Sequence, residues 1–109
     1  MPEYGYTSRM SSETSTVKIR LMGELAGLFR PRELEVALPQ ETTVGELLLR
    51  LRDHYGDAFP KKVFNSAGGL TNGVVVFVNG EDIRSLAGLD TPLPESTVEL
   101  VMLPVFEGG

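Results

Sequence analysis

ELEVALPQETTVGELLLRL, residues 33–51, changes its hydrophobic period part-way through. Up to Pro39 the apolar side chains alternate: Leu34, Val36 and Leu38 point one way, Glu33 and Glu35 the other. Period two marks a half-buried strand. Pro39 has no amide hydrogen and stops the ladder. Thr43-Val44-Gly45-Glu46 then reads as a capping box, in which hydroxyl and carboxylate each satisfy a backbone amide of the first helical turn. Val44, Leu47, Leu48, Leu51 and Tyr55 recur at helical spacing as one stripe. Arg50 and Arg52 take the outer face, and Gly56 supplies the stop.

Outward from this pivot the pattern is consistent. Residues 17–22, VKIRLM, alternate with Val17, Ile19 and Leu21 inward, so a first strand pairs with residues 33–38 as a hairpin. Between them LAGLF, residues 25–29, reads as a short helical turn or an apolar loop. Beyond the helix, residues 57–73 are rich in small residues. They read as a turn near Phe59 to Phe64 followed by a mobile loop, longer than a compact domain usually carries. VVVFV, residues 74–78, is a central strand; Asn79-Gly80 is a tight turn. Residues 82–84 form a short edge strand, and residues 86–93 a turn-rich segment pinned by Leu89 and Leu93. Residues 98–103, VELVML, close the set with Val98, Leu100 and Met102 inward.

The order is β, β, α, β, short β, β. One α+β domain over residues 17–103 follows, with a mixed sheet of four to five strands packed on one main helix. By analogy with known folds of this element order, the first and last strands lie parallel at the centre, the β-grasp, or ubiquitin-like, arrangement. Residues 1–16, rich in Ser and Thr, read as a flexible arm, and residues 104–109 as an extended tail.

Composition narrows the function. The 109 residues include no cysteine, so disulfides, thiolate metal sites and a thiol nucleophile are excluded. One histidine, His54, argues against a histidine metal site or a Ser-His-Asp triad, and no metal site is expected. A net charge of −5 argues against nucleic acid as the partner. No apolar run has the roughly 20 residues that span a bilayer. The first residues lack the order of a secretory signal, so a cytoplasmic location is expected. Such a domain is expected to have no independent catalytic site; it works through a partner, a surface or its tail.

The tail reads Pro104-Val105-Phe106-Glu107-Gly108-Gly109. Pro104 cannot continue a central ladder. The six residues beyond Leu103 reach roughly 20 Å when extended. Two glycines make the end thin and permissive, suited to a narrow channel in another protein. A carboxylate is a poor electrophile, so chemistry at Gly109 needs a leaving group, most simply an adenylate made from ATP. Any thiol that then attacks comes from a partner.

Several segments together resemble the MoaD/ThiS family of ubiquitin-like sulfur carriers, in particular the small subunits of molybdopterin synthase. They are Val78-Asn79-Gly80-Glu81, Leu89-Asp90-Thr91-Pro92-Leu93, residues 98–104, Gly108-Gly109, VKIRLMGEL at 17–25 and TVGELLLRL at 43–51. Glu107 departs from the small residue common before the terminal pair. The Ser-rich arm and residues 57–73 exceed the compact pattern. The resemblance implies that an E1-like enzyme uses ATP to adenylate Gly109, that a sulfur donor converts the adenylate to a thiocarboxylate, and that a large synthase subunit or another acceptor receives the sulfur. The chain itself is implied to bind no cofactor. A protein modifier joined through isopeptide bonds and a non-catalytic ubiquitin-like interaction module remain as alternatives.

A carrier must dock. Outward positions Phe77, Val101 and Leu103 are expected to form an apolar patch beside the tail root, unless a loop or the arm covers it. Phe106 is a candidate anchor for the tail in a partner's pocket, with folding back onto the sheet as the equal alternative. Lys61-Lys62 reads as a solvated pair, with a partner contact or a self-modification site as the functional alternative. Gly68-Gly69 lacks the Gly-Lys-Ser/Thr sequel of a phosphate loop.

Overall fold

The computed structural model describes residues 14–104. Five strands form one sheet: β1 (Thr14–Gly23), β2 (Glu33–Pro39), β3 (Val74–Val78), β4 (Glu81–Asp82) and β5 (Ser96–Met102), in the order β2-β1-β5-β3-β4. β1 and β2 are an antiparallel hairpin; β1 and β5 run parallel at the centre; β3 is antiparallel to β5. The helices are α1 (Glu24–Leu28), α2 (Val44–Arg50), α3 (Arg52–Tyr55) and α4 (Ala58–Val63). This is the expected β-grasp.

The pivot behaves as its chemistry requires. The Thr43 amide donates to Glu46 Oε1 at 3.0 Å, and the Glu46 amide donates to Thr43 Oγ1 at 3.3 Å. Helical hydrogen bonding carries across Leu51, whose amide donates to the Leu47 carbonyl while its own carbonyl accepts from Tyr55. Gly56 ends α3 at φ 88°, a left-handed conformation that favours glycine. Leu47, Leu48 and Leu51 then pack on Val17, Ile19, Leu21, Val98 and Leu100 to fill the core.

Three expectations are corrected. The first strand begins at Thr14, not Val17, and Ser15 is buried on its inner side; the arm assigned to residues 1–16 therefore gives up its last three, and residues 1–13 lie outside the described part. Thr14 to Thr16 carry no apolar signal, but β2 offers them partners as far as Pro39. The segment 57–73 is no open loop. Phe59 and Val63 bury one side of α4. Asn65 then closes the turn: its Oδ1 accepts from the Ala67 and Gly69 amides at 2.9 and 3.0 Å, and its Nδ2 donates to the Leu70 carbonyl at 3.2 Å. Of residues 82–84, only Asp82 is strand; Ile83 turns inward and is buried.

Phe29, Tyr55 and Phe59 form an aromatic cluster, with Tyr55 and Phe59 stacked at 5.1 Å. Tyr55 Oη donates to the Pro31 carbonyl at 2.6 Å, tying α3 to the β1–β2 connection. Burial pushes the phenol above its ordinary 10.0, because the fold disfavours the phenolate. A raised value means a contribution present below pH 10 and lost as pH rises through the folded-state value. Tyr55→Phe should cost about 1 kcal/mol at neutral pH. It should also flatten the alkaline fall in stability, which urea unfolding across that range measures.

Candidate docking face at the root of the tail

Alternation along the three middle strands sends one set of side chains away from the helices. Register places Met22 beside Val101 and Val101 beside Val75, a continuous apolar row across β1, β5 and β3. One step down, Arg20 pairs with Glu99, and Glu99 with Phe77. Phe77 is thus a diagonal neighbour of Val101, within reach of an aromatic ring. Val75, Phe77 and Val101 are half-buried, while Met22 is 37% exposed and Leu103 51%.

Below the row the face is charged. Arg20 bridges two carboxylates: its Nε lies 3.2 Å from Glu33 Oε2 and its Nη1 3.2 Å from Glu99 Oε2. These exposed pairs add little stability; one guanidinium against two carboxylates leaves a net negative charge beside the apolar row. At the sheet's far edge Arg84 Nη2 lies 2.6 Å from Asp82 Oδ2. The Arg84 guanidinium, helped by its own amide, holds the Asp82 carboxyl below its ordinary value.

The exit of the tail is built from backbone. β5 ends at Met102; the Leu103 amide still donates to the Gly73 carbonyl at 2.9 Å. Pro104 offers no amide to continue. On the β1 side, Gly23 pairs with Met102 at φ 65°. Its Cα lies so close that a Cβ there would stand 2.5 Å from the Met102 carbonyl oxygen. A cleft beside this exit is lined by Glu24, Lys61, Lys62, Met102, Leu103 and Pro104.

The predicted residues fall into two groups. Phe77, Val101 and Leu103 do share the outer face at the end of β5. Phe106, Glu107, Gly108 and Gly109 lie outside the described residues. Met22 was missed, although the alternation that puts Lys18 and Arg20 outward extends to it. Among the described residues no helix is long and apolar enough to cross a membrane.

A family model described as the ThiS family matches residues 19–109, most of the chain. The chain belongs to the ThiS family. Solved structures agree with that placement. The crystal structure of SAMP1 from Haloferax volcanii is 26% identical to this ThiS-family chain, with a TM-score of 0.68 over 87% of this chain and 100% of that one. The solution structure of small archaeal modifier protein 1 from Methanosarcina acetivorans is also 26% identical, with a TM-score of 0.70 over 87% and 98%. The BexX/CysO complex of Amycolatopsis orientalis contains a chain of the same fold, 23% identical, with a TM-score of 0.62 over 85% and 99%. No curated protein sequence matches this ThiS-family chain significantly.

Proposed function

We propose that the chain is a cytoplasmic sulfur carrier whose reactive atom is the Gly109 carboxyl carbon. An E1-like partner binds the face around Val101. The Gly109 carboxylate attacks the α-phosphorus of ATP and pyrophosphate leaves. Hydrosulfide released by a donor then attacks the acyl carbon, the bond to AMP breaks, AMP leaves with the electron pair, and a thiocarboxylate remains. The chain has no cysteine, so that sulfur is the partner's. The acceptor proposed is a molybdopterin precursor held by a large synthase subunit, following the resemblance of residues 17–25, 43–51, 78–81, 89–93 and 98–104 to that branch.

The observation that supports this reading is the apolar row Met22–Val101–Val75 lying directly beside the end of β5. A partner that covers the row holds the point from which the last residues depart, which fixes their origin relative to its own active site. Mass spectrometry of the protein from its native cells tests the proposal. One oxygen of the C-terminal carboxylate should be exchanged for sulfur in a measurable fraction; a uniform carboxylate during active cofactor synthesis would sink it.

A second reading is favoured by the two modifier proteins at 26% identity. There the same acyl adenylate meets an amine instead of a sulfur, and the product is an isopeptide. Higher-mass conjugates in extracts, lost when the tail is shortened, distinguish it.

A further inference from the structure

The chain contains three lysines: Lys18, Lys61 and Lys62. Two of them occupy the last turn of α4, whose Phe59 and Val63 are buried. That anchoring turns both amines outward from a rigid element. They line the same cleft as Leu103 and Pro104, where the chain leaves the sheet, and Glu24 lies in the cleft with them. Neither ammonium has an ion-pair partner among the described residues. Lys18 is differently placed. It sits five positions before Gly23, the partner of Met102, which puts it about 17 Å back along the sheet at roughly 3.3 Å per residue.

Geometry and charge both favour the pair at the exit. Five residues follow Pro104, with a reach of about 17 Å when extended. The last described residue, Pro104, lines the cleft, whereas Lys18 lies behind the direction in which β5 points. Glu107 carries a charge opposite to that of the lysines, one residue before the glycine pair. Opposite charges attract, which favours this lysine pair as acceptors in an overall acidic chain.

We propose that Lys61 and Lys62 are a modification site, the acceptor amines for an activated Gly109 carboxyl of this same polypeptide, from its own tail or from a second copy. The inference rests on the reading that Gly109 becomes activated. An unprotonated lysine nitrogen attacks the Gly109 acyl carbon. A C–N amide bond forms, the bond to the leaving group breaks, and AMP departs with the electron pair. The amine proton passes to the Glu24 carboxylate or to water. The carrier is thereby capped: its carboxyl is consumed and it accepts no sulfur.

The test uses the full chain with Gly109 as the thioester of 2-mercaptoethanesulfonate, so the thiol is the leaving group and no activating enzyme is needed. Cleavage after Glu107 leaves a Gly-Gly remnant on the acceptor lysine, which mass spectrometry locates. The remnant is expected on Lys61 or Lys62 in at least about tenfold excess over Lys18. The double variant Lys61→Arg, Lys62→Arg should cut amide formation by the same factor, while hydroxylamine traps its thioester as fast as the parent's. Lys18→Arg should change nothing. A product of monomer mass, formed at a rate independent of concentration, identifies the chain's own tail; a dimer mass growing with concentration identifies a second copy. Equal remnants on Lys18 or the N-terminal amine, amide formation that survives in the double variant, or no amide where hydroxylamine reacts normally would each overturn the inference. None of these outcomes bears on whether cells load Gly109 with sulfur, so the two proposals fail separately.

Discussion

Deleting Gly109 should lower ATP-dependent activation of the chain by more than about a hundredfold and leave its unfolding transition unchanged. The argument is positional. Removal of one residue draws the carboxylate back by about 3.5 Å, while a misplacement of about 1 Å at a reacting centre already costs on the order of a hundredfold. The remaining Gly108 carboxylate is chemically the same group, so the loss reports reach and not reactivity. Stability is spared because the last ladder bonds are made by β5 and by the Leu103 amide to the Gly73 carbonyl. Pyrophosphate exchange with the E1-like partner measures the first effect and urea unfolding the second. An interaction module would differ in the deletion: partner binding, lost in Val101→Asp under either reading, would survive the loss of Gly109. Undiminished exchange after the deletion refutes the carrier.

Gly23→Ala should cost about 3 kcal/mol of stability, a large part of the roughly 5–15 kcal/mol expected for such a domain. At φ 65° and ψ −141° Gly23 occupies a region that side chains scarcely enter. The added Cβ would also meet the Met102 carbonyl oxygen at 2.5 Å, a backbone atom that cannot rotate away. Relief requires the ends of β1 and β5 to part, and the tail departs from that end of β5. Activation should therefore fall together with stability, even at temperatures where the variant stays folded. Gly27→Ala is the control. It lies in α1 with nothing within 4 Å of its Cβ position, and there alanine should gain about 0.5–1 kcal/mol. Equal effects of the two substitutions in urea unfolding would show that close approach at Gly23 is unimportant.

Much of this architecture was legible because its signals are local. The switch of period at Pro39 and the Thr43–Glu46 box define a strand and a helix without reference to the rest. Residues 74–78 and 98–103 alternate or run apolar over enough positions to be read alone. What was hidden depends on partners distant in sequence. Thr14 to Thr16 become strand only because β2 is long enough to pair with them. The turn at residues 65–70 looks like a string of small residues until Asn65 is seen to bond four of its groups. Gly23 gives no sign in sequence that it touches Met102. On the candidate docking face, alternation points to Phe77, Val101 and Leu103. The alternation of β1 also sends Met22 outward, but its place beside Val101 is visible only in the parallel register.

That central parallel pair has a consequence for how the protein is made. Arg20 and Glu99, joined across it, are 79 positions apart, so β1 waits for nearly all of translation before its inner neighbour exists. Contacts of such separation form late and slowly. A nascent chain on the ribosome can close the β1–β2 hairpin and α2, but it keeps one flank of β1 open. A polypeptide stalled before β5 lacks half of the surface an activating enzyme would grip, and it lacks the carboxyl terminus that enzyme would charge. If Gly109 is activated as proposed, completion of the fold and activation are coupled by topology, and a truncated translation product offers an activating enzyme neither the finished face nor the carboxyl group.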